Sequence, residues 1–178
     1  MVNPAKTQRD RGIDAVMDSV AEDGWRGCTL EAVLARAGLE PHAFYREFDD
    51  LYSVISAASR RLDGAMLAAA DFEPEEAVRD RLFALLMARF DAAKPWRQAI
   101  AELARAAASD PRLAALGLRS LHRTAARALE NAGVVTGGPF GPGRIAALAA
   151  GVLLPASRVW LRDDSEDLSR TMADLDSR

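Results

Sequence analysis

The side chains that could do chemistry are few and scattered. Cys28 is the single cysteine, and His42 and His122 are the two histidines. One thiol closes no disulfide framework and holds no zinc alone. Beside the cap of a short helix Cys28 could be reactive, but a buried structural thiol is the plainer reading. Two histidines far apart in sequence offer no evident general base. Asp10, Asp14, Asp18 and Glu22 recur at i+4, the spacing of a solvated helical face. There is no glycine-rich phosphate loop, nucleophile elbow or metal-ligand spacing. We therefore expect no enzyme, no metal and no cofactor. Two groups could bind instead. Arg119, Arg123 and Arg127 recur at i+4, either as a solvated face or, if one points inward, as a holder of an anionic head group. His122 between them reads as an exposed or satisfied residue. Phe83, Met87, Phe90, Trp96, Leu103 and Leu121 read as plain core or as the lining of a cavity for a small hydrophobic ligand.

The elements that must carry these residues are helices. The chain has 178 residues, of which 36 are Ala, 21 Leu and 21 Arg, against 19 Val, Ile and Thr together. Ala, Leu and Arg lose little side-chain freedom in a helix, while β-branched residues favour strands. The expected fold class is all-α, with about nine helices. The net charge is −3, and residues 1–50 hold six basic and ten acidic residues, −4. No bulk basic patch advertises nucleic acid. No apolar run reaches membrane-span length, and residues 1–10 read as neither signal peptide nor anchor, so a cytoplasmic location is expected.

Ile13, Val16, Met17 and Val20 share one face of a first helix from Lys6 to Asp23, ended by Gly24, with Trp25 closing it onto the next as a core aromatic. Thr29 caps a short second helix that Gly38 stops. Pro41 opens a third, to Phe48. A long fourth runs from Leu51 to about Asp71. Further helices are expected from Pro74 to Lys94, Pro95 to Ala108 and, behind an Asp110 cap, Pro111 to Asn131, which Gly117 could divide. Val134–Gly143 is a loop. Arg144 to Leu161 is an apolar helix that Pro155 should kink. Asp164 or Ser165 caps a last one carrying Leu168, Met172 and Leu175. The 144–161 helix is apolar nearly all round, so something must bury it. It is either an internal core helix or, as we favour, a homodimer seam built on Val152, Leu153, Val159 and Trp160.

Helix, glycine turn, helix is the arrangement of a helix-turn-helix, whose last helix presents its N-terminal residues to the major groove. The run TLEAVLARAGLEPHAFYREFDDLYSVI goes further. It resembles the DNA-binding head of the TetR family of one-component repressors. Matching features across residues 9–55 are Ile13, Ala15, Gly24-Trp25, Thr29, Val33, Ala37-Gly38-Leu39, Phe44-Tyr45-Arg46 and Phe48. The resemblance implies a DNA-binding head over 1–50 and a ligand-binding and dimerisation domain over 51–178. It implies DNA-facing places for Lys6, Arg9, Thr29, Pro41, His42, Ala43, Tyr45 and Arg46. It also implies a homodimer on a pseudo-palindromic duplex and release by a small effector. The sequence departs from the family at Ala43, where a hydroxyl is usual, at Glu47, usually basic, and at Leu51, commonly lysine.

A second resemblance covers residues 76–178. VRDRLFALLMARFDAAKPWRQAI and VWLRDDSEDLSRTMADLD are similar to the TetR-like lipid-binding proteins of ubiquinone biosynthesis, which share the fold and bind an isoprenoid lipid rather than DNA. The membrane-seeking amphipathic helix those proteins add is not expected here. The expectation is thus a regulator, with a lipid- or quinone-binding accessory protein as the alternative.

Overall fold

The computed structural model describes residues 6–73 and 75–178; the helix start expected at Pro74 lies outside them. Among the described residues every regular element is helical: α1 (Gln8–Gly27), α2 (Leu30–Ala37), α3 (Pro41–Glu47), α4 (Leu51–Ala68), α5 (Val78–Ala93), α6 (Arg97–Ala106), α7 (Pro111–Asn131), α8 (Gly141–Leu148), α9 (Leu154–Trp160) and α10 (Ser169–Asp176). The all-α class holds, with a count close to the nine expected.

The chain divides into two compact units, residues 1–60 with 95–117 and residues 61–94 with 118–178. Compactness therefore assigns α6 and the start of α7 to the unit that contains α1–α3. In this first unit Ile13, Val16 and Val20 from α1 meet Val33, Phe44, Phe48, Val54 and Ala99 in one apolar cluster. The helical stripe read from the sequence is thus its buried face. Cys28 is buried there too, and burial pushes its thiol pKa up, which suits packing rather than reactivity.

Local chemistry sets the boundaries. The Thr7 hydroxyl accepts from the Asp10 amide and starts α1. Gly24 interrupts that helix at φ 71°, ψ 170°, a conformation essentially confined to glycine. Asp110 Oδ1 accepts from the Arg112 and Leu113 amides, both at 3.0 Å, and caps α7. That helix runs through Gly117 without a break.

In the second unit Leu85, Leu86, Phe90, Ala125, Ala128, Leu129, Leu153, Ala156, Trp160, Leu168 and Leu175 are buried. The bend expected at Pro155 takes the form of a π-helical turn, Ala149–Leu153, between α8 and α9. Proline has no N–H to donate one turn back, and the widened turn accommodates the loss. Ser157 Oγ donates to the Leu153 carbonyl at 2.7 Å, a side-chain bond back to the preceding turn. Of the two caps expected for α10, Asp164 and Ser165, it is Ser165 that takes an amide of the first turn, and Asp163 joins it. Buried Asp163 accepts from the Thr171 amide at 2.8 Å and the Thr171 hydroxyl at 2.7 Å, while Ser165 Oγ takes the Ser169 amide. Burial pushes the Asp163 carboxyl up, but the bonds from Ser165 and Thr171 prevail and hold it well below the usual carboxylate range.

Candidate nucleic-acid interface

The helix-turn-helix is assembled by short-range rules. Thr29 Oγ1 accepts from the Ala32 amide at 3.3 Å and fixes the start of α2. Gly38 ends it in the left-handed region at φ 59°, ψ 45°, and the Leu39 amide closes the turn on the Leu34 carbonyl at 3.1 Å. Pro41 sits in the first turn of α3, where its missing N–H costs no bond. Arg11 locks the turn from outside: its Nη1 donates to the carbonyls of Ala37 and Gly38 at 3.1 and 3.3 Å. No local stretch of sequence reveals that clamp, because it joins residues 26 positions apart.

Helical spacing then decides which residues of α3 face out. Phe44 is fully buried, and Phe48 is 4% exposed. Pro41, His42, Tyr45, Arg46 and Glu47 are exposed. Tyr45 is 56% exposed and stands edge-on to Phe44 with ring centroids 5.6 Å apart. Ala43 corrects the expectation of a DNA-facing residue. At 5% exposure it belongs to the head core. The family's usual hydroxyl at this place would need a partner here that alanine does not.

The cations around this face are held by the protein itself. Arg9 Nη1 lies 3.3 Å from both the carbonyl and a carboxylate oxygen of Glu47, with its guanidinium over the Phe48 ring at 5.2 Å. Arg46 Nη2 donates to Gln8 Oε1 at 3.2 Å. Lys6 is paired with Asp14 at 2.5 Å. Thr29 is exposed, although its oxygen is engaged as the α2 cap. The structure thus brings Arg9 and Glu47 together. Both are exposed enough for solvent to screen the pair.

A second polar assembly anchors α3's neighbours. Asp110 Oδ2 accepts from Trp25 Nε1 at 3.0 Å and from the Tyr52 hydroxyl at 2.9 Å. The Trp25 and Tyr52 rings meet edge to face at 4.9 Å. Arg112 lies over the Tyr52 ring at 3.9 Å and is ion-paired with Asp50. The Leu113 amide, with help from Tyr52 and Trp25, holds the Asp110 carboxyl below its ordinary value, and the bond to Asp110 pushes Tyr52 up.

Of the expected effector residues, Trp96 and Leu103 pack against the apolar cluster of the first unit. Phe83, Met87, Phe90 and Leu121 fall in the second. Phe90 is buried and stacks on Trp160 with centroids 5.7 Å apart. Of the expected seam residues, Leu153 and Trp160 are 2% exposed within the chain itself, whereas Val152 and Val159 are half-buried. Of the three regularly spaced arginines, Arg119 is exposed and the other two turn toward Asp63. Asp63 is fully buried. Arg123 Nε lies 2.8 Å from it, Arg89 Nε 3.1 Å, Arg127 Nη1 3.5 Å, and the Thr124 hydroxyl 2.7 Å. The anion these arginines hold is the chain's own. Burial pushes the Asp63 carboxyl up, but Arg123, Thr124 and Arg89 outweigh it and leave the pKa lowered.

No protein-family model matches the sequence, and no curated protein matches it either. Solved structures do. A TetR transcriptional regulator from Nitrosomonas europaea superposes with a TM-score of 0.76 at 20% identity, over 95% of this chain and 94% of that one. A transcriptional regulator from Rhodococcus sp. Rha1 gives 0.57 at 25% identity, over 96% and 95%. The multidrug binding protein EbrR, complexed with imidazole, gives 0.60 at 23%, over 97% and 94%. The likeness spans head and body alike, and the chain has the fold of the TetR-family transcriptional regulators.

Proposed function

We propose that the protein is a one-component transcriptional regulator that binds operator DNA as a homodimer. Residues 1–50 are the DNA-binding head, and residues 51–178 the ligand-binding and dimerisation domain. The observation that carries the reading is the outward face of α3: His42, Tyr45 and Arg46 exposed over Phe44 and Phe48, behind the Gly38 turn. In this reading Pro41–Glu47 enters the major groove of each half of a pseudo-palindromic site. The Tyr45 hydroxyl and the Arg46 guanidinium donate to phosphate oxygens, which fixes register more than it reads bases. Lys6, Arg9 and Thr29 flank them. A small hydrophobic molecule acts as effector, and Phe83, Met87, Phe90 and Leu121 are its candidate lining. EbrR, a protein of the same fold, is complexed with imidazole; in this reading of the present chain, ligand capture in the body changes the spacing of the two heads and so the affinity for DNA. Val152 and Val159 are the seam candidates with surface to offer.

The test is fluorescence anisotropy on the duplex upstream of the protein's own gene across a salt series. The regulator reading requires saturable, salt-dependent binding that Tyr45→Ala with Arg46→Ala removes. The alternative, a lipid- or quinone-binding accessory protein, is favoured by one observation: Glu40, Glu47 and Asp49 are exposed at α3, and Arg9 is already engaged by Glu47. An isoprenoid co-purifying in native mass spectrometry, together with no duplex binding at any salt, selects that alternative.

A further inference from the structure

The cations of the head differ in what holds them. Lys6, Arg9 and Arg36 each give their charge to a carboxylate, Asp14, Glu47 and Glu22. Arg46 is held by a neutral group. Its Nη2 donates to the side-chain oxygen of Gln8 at 3.2 Å, and no carboxylate among the described residues pairs with it. The acids nearest it in the chain are otherwise placed: Glu47 holds Arg9, and Asp49 lies past the end of α3. Arg11 and Arg26 also meet neutral oxygens, but Arg11 is spent on the carbonyls of the Gly38 turn, and Arg26 lies at the far end of α1.

The Gln8–Arg46 bond belongs to a register between two elements. Residues 8 and 46, like 9 and 47, are 38 positions apart, so the first turn of α1 lies along the last turn of α3. Thr7 fixes that first turn by accepting from the Asp10 amide at 3.0 Å, which gives Gln8 a set origin. Helix electrostatics explains a cation in the last turn of α3. It does not explain a neutral amide that reaches from another helix to hold it. A long exposed guanidinium loses rotamer freedom when it meets a partner, and a bond made beforehand removes part of that cost. An amide acceptor does this without cancelling the charge, whereas a carboxylate would cancel it.

We propose that Gln8 is a positioning residue for duplex binding: through its side-chain oxygen it presents Arg46, charge intact, to a phosphate of the DNA backbone. The bond to Gln8 takes one N–H of the guanidinium and leaves the others for phosphate oxygens. Neither charge nor helical spacing marks Gln8 in the sequence, since its partner is 38 positions away. The inference rests on the regulator reading above and adds to it the residue that sets one of its contacts.

Anisotropy titrations of the full chain and its variants on the same upstream duplex, across a salt series, test it. Arg46→Ala should flatten the slope of log K against log salt by about 0.9, one phosphate contact. Gln8→Met, of similar length but with no amide acceptor, should weaken binding about three- to tenfold, the scale of one side chain's rotamer freedom. In the Arg46→Ala background it should change nothing, because Gln8 acts only through that guanidinium. Gln8→Glu keeps an acceptor in place but supplies a counter-ion, and should flatten the slope as Arg46→Ala does. Both side chains are exposed, so melting temperatures should move no more than for ordinary surface substitutions. Three results overturn the proposal and leave the regulator reading standing: equal losses for Gln8→Met in both backgrounds, no loss in either, or a binding loss that follows a fall in melting temperature. A parent chain that binds no duplex at any salt overturns both.

Discussion

Trp25 and Asp110, 85 positions apart, meet through a 3.0 Å hydrogen bond from the indole nitrogen. The same carboxylate takes the Tyr52 hydroxyl and, through its other oxygen, caps α7. One side chain therefore ties the end of α1, the start of α4 and the start of α7. Asp110→Ala should lower Tm by about 2–4 °C or more, the scale of one lost helix cap in a chain of this length. The pH dependence has a definite sign. The folded carboxyl lies below its ordinary value, so its contribution is present above the unfolded pKa and lost as pH falls through the folded one. Thermal melts between about pH 7 and pH 3 should show a shallower acid decline for Asp110→Asn than for the parent. Parallel declines would remove Asp110 from the account.

Asp63 should be the costliest single charge to lose. It is fully buried, and Arg89, Arg123 and Arg127 all face it. Asp63→Ala removes the carboxylate those guanidiniums share, and breaking a buried pair costs about 3–5 kcal/mol. Asp63→Asn keeps an acceptor for Thr124 and should cost less. Arg127→Ala, at the long 3.5 Å contact and with 36% of its side chain exposed, should cost about 1 kcal/mol or less. Urea unfolding of the three variants gives the ranking. An Arg127→Ala loss equal to that of Asp63→Ala would show that the carboxylate does not organise the cluster.

The two glycines that bracket α2 should respond differently to a methyl group. Gly38 lies in the left-handed region that asparagine also tolerates, and a Cβ there would come no closer than 3.6 Å to Arg11. Gly38→Ala should cost about 1–2 kcal/mol, and Gly38→Asn less. Gly24, at φ 71° and ψ 170°, occupies a region essentially closed to other residues, so Gly24→Ala should cost about 1–3 kcal/mol. Chemical denaturation of both alanine variants tests the order, and a smaller loss at Gly24 would contradict the backbone argument.

Thr29, Gly38 and Pro41 could be read in the sequence because each acts on amides or carbonyls within a few positions. The stripe Ile13, Val16 and Val20 was readable because helix periodicity alone selects the buried face. Arg11, Asp110 and Asp63 were not readable in their full roles. Each reaches partners between 26 and 85 positions away, and nothing in a local window distinguishes them from solvated charges. Ala43 shows the limit of carrying a role over by alignment: its register in the helix fixes it beside Phe44 on the inward side. The part Asp163 plays beside Ser165 at the start of α10 depends on which of three adjacent polar residues is buried, and the chain path settles that.

Glu47 gives the most discriminating test of the head. Its carboxylate holds Arg9 at 3.3 Å, and its backbone carbonyl receives the same nitrogen at the same distance. Glu47→Gln removes a negative charge from the outward side of α3 while leaving the carbonyl to position the guanidinium. A cation released in place adds a phosphate contact, and each such contact steepens the slope of log K against log salt by about 0.9. If α3 meets a duplex, Glu47→Gln should raise affinity at low salt and steepen that slope by about one contact. Arg9→Ala in the same background should return both to parental values. Unchanged slope and affinity in Glu47→Gln would place Arg9 out of reach of phosphate and leave it a structural brace between α1 and α3.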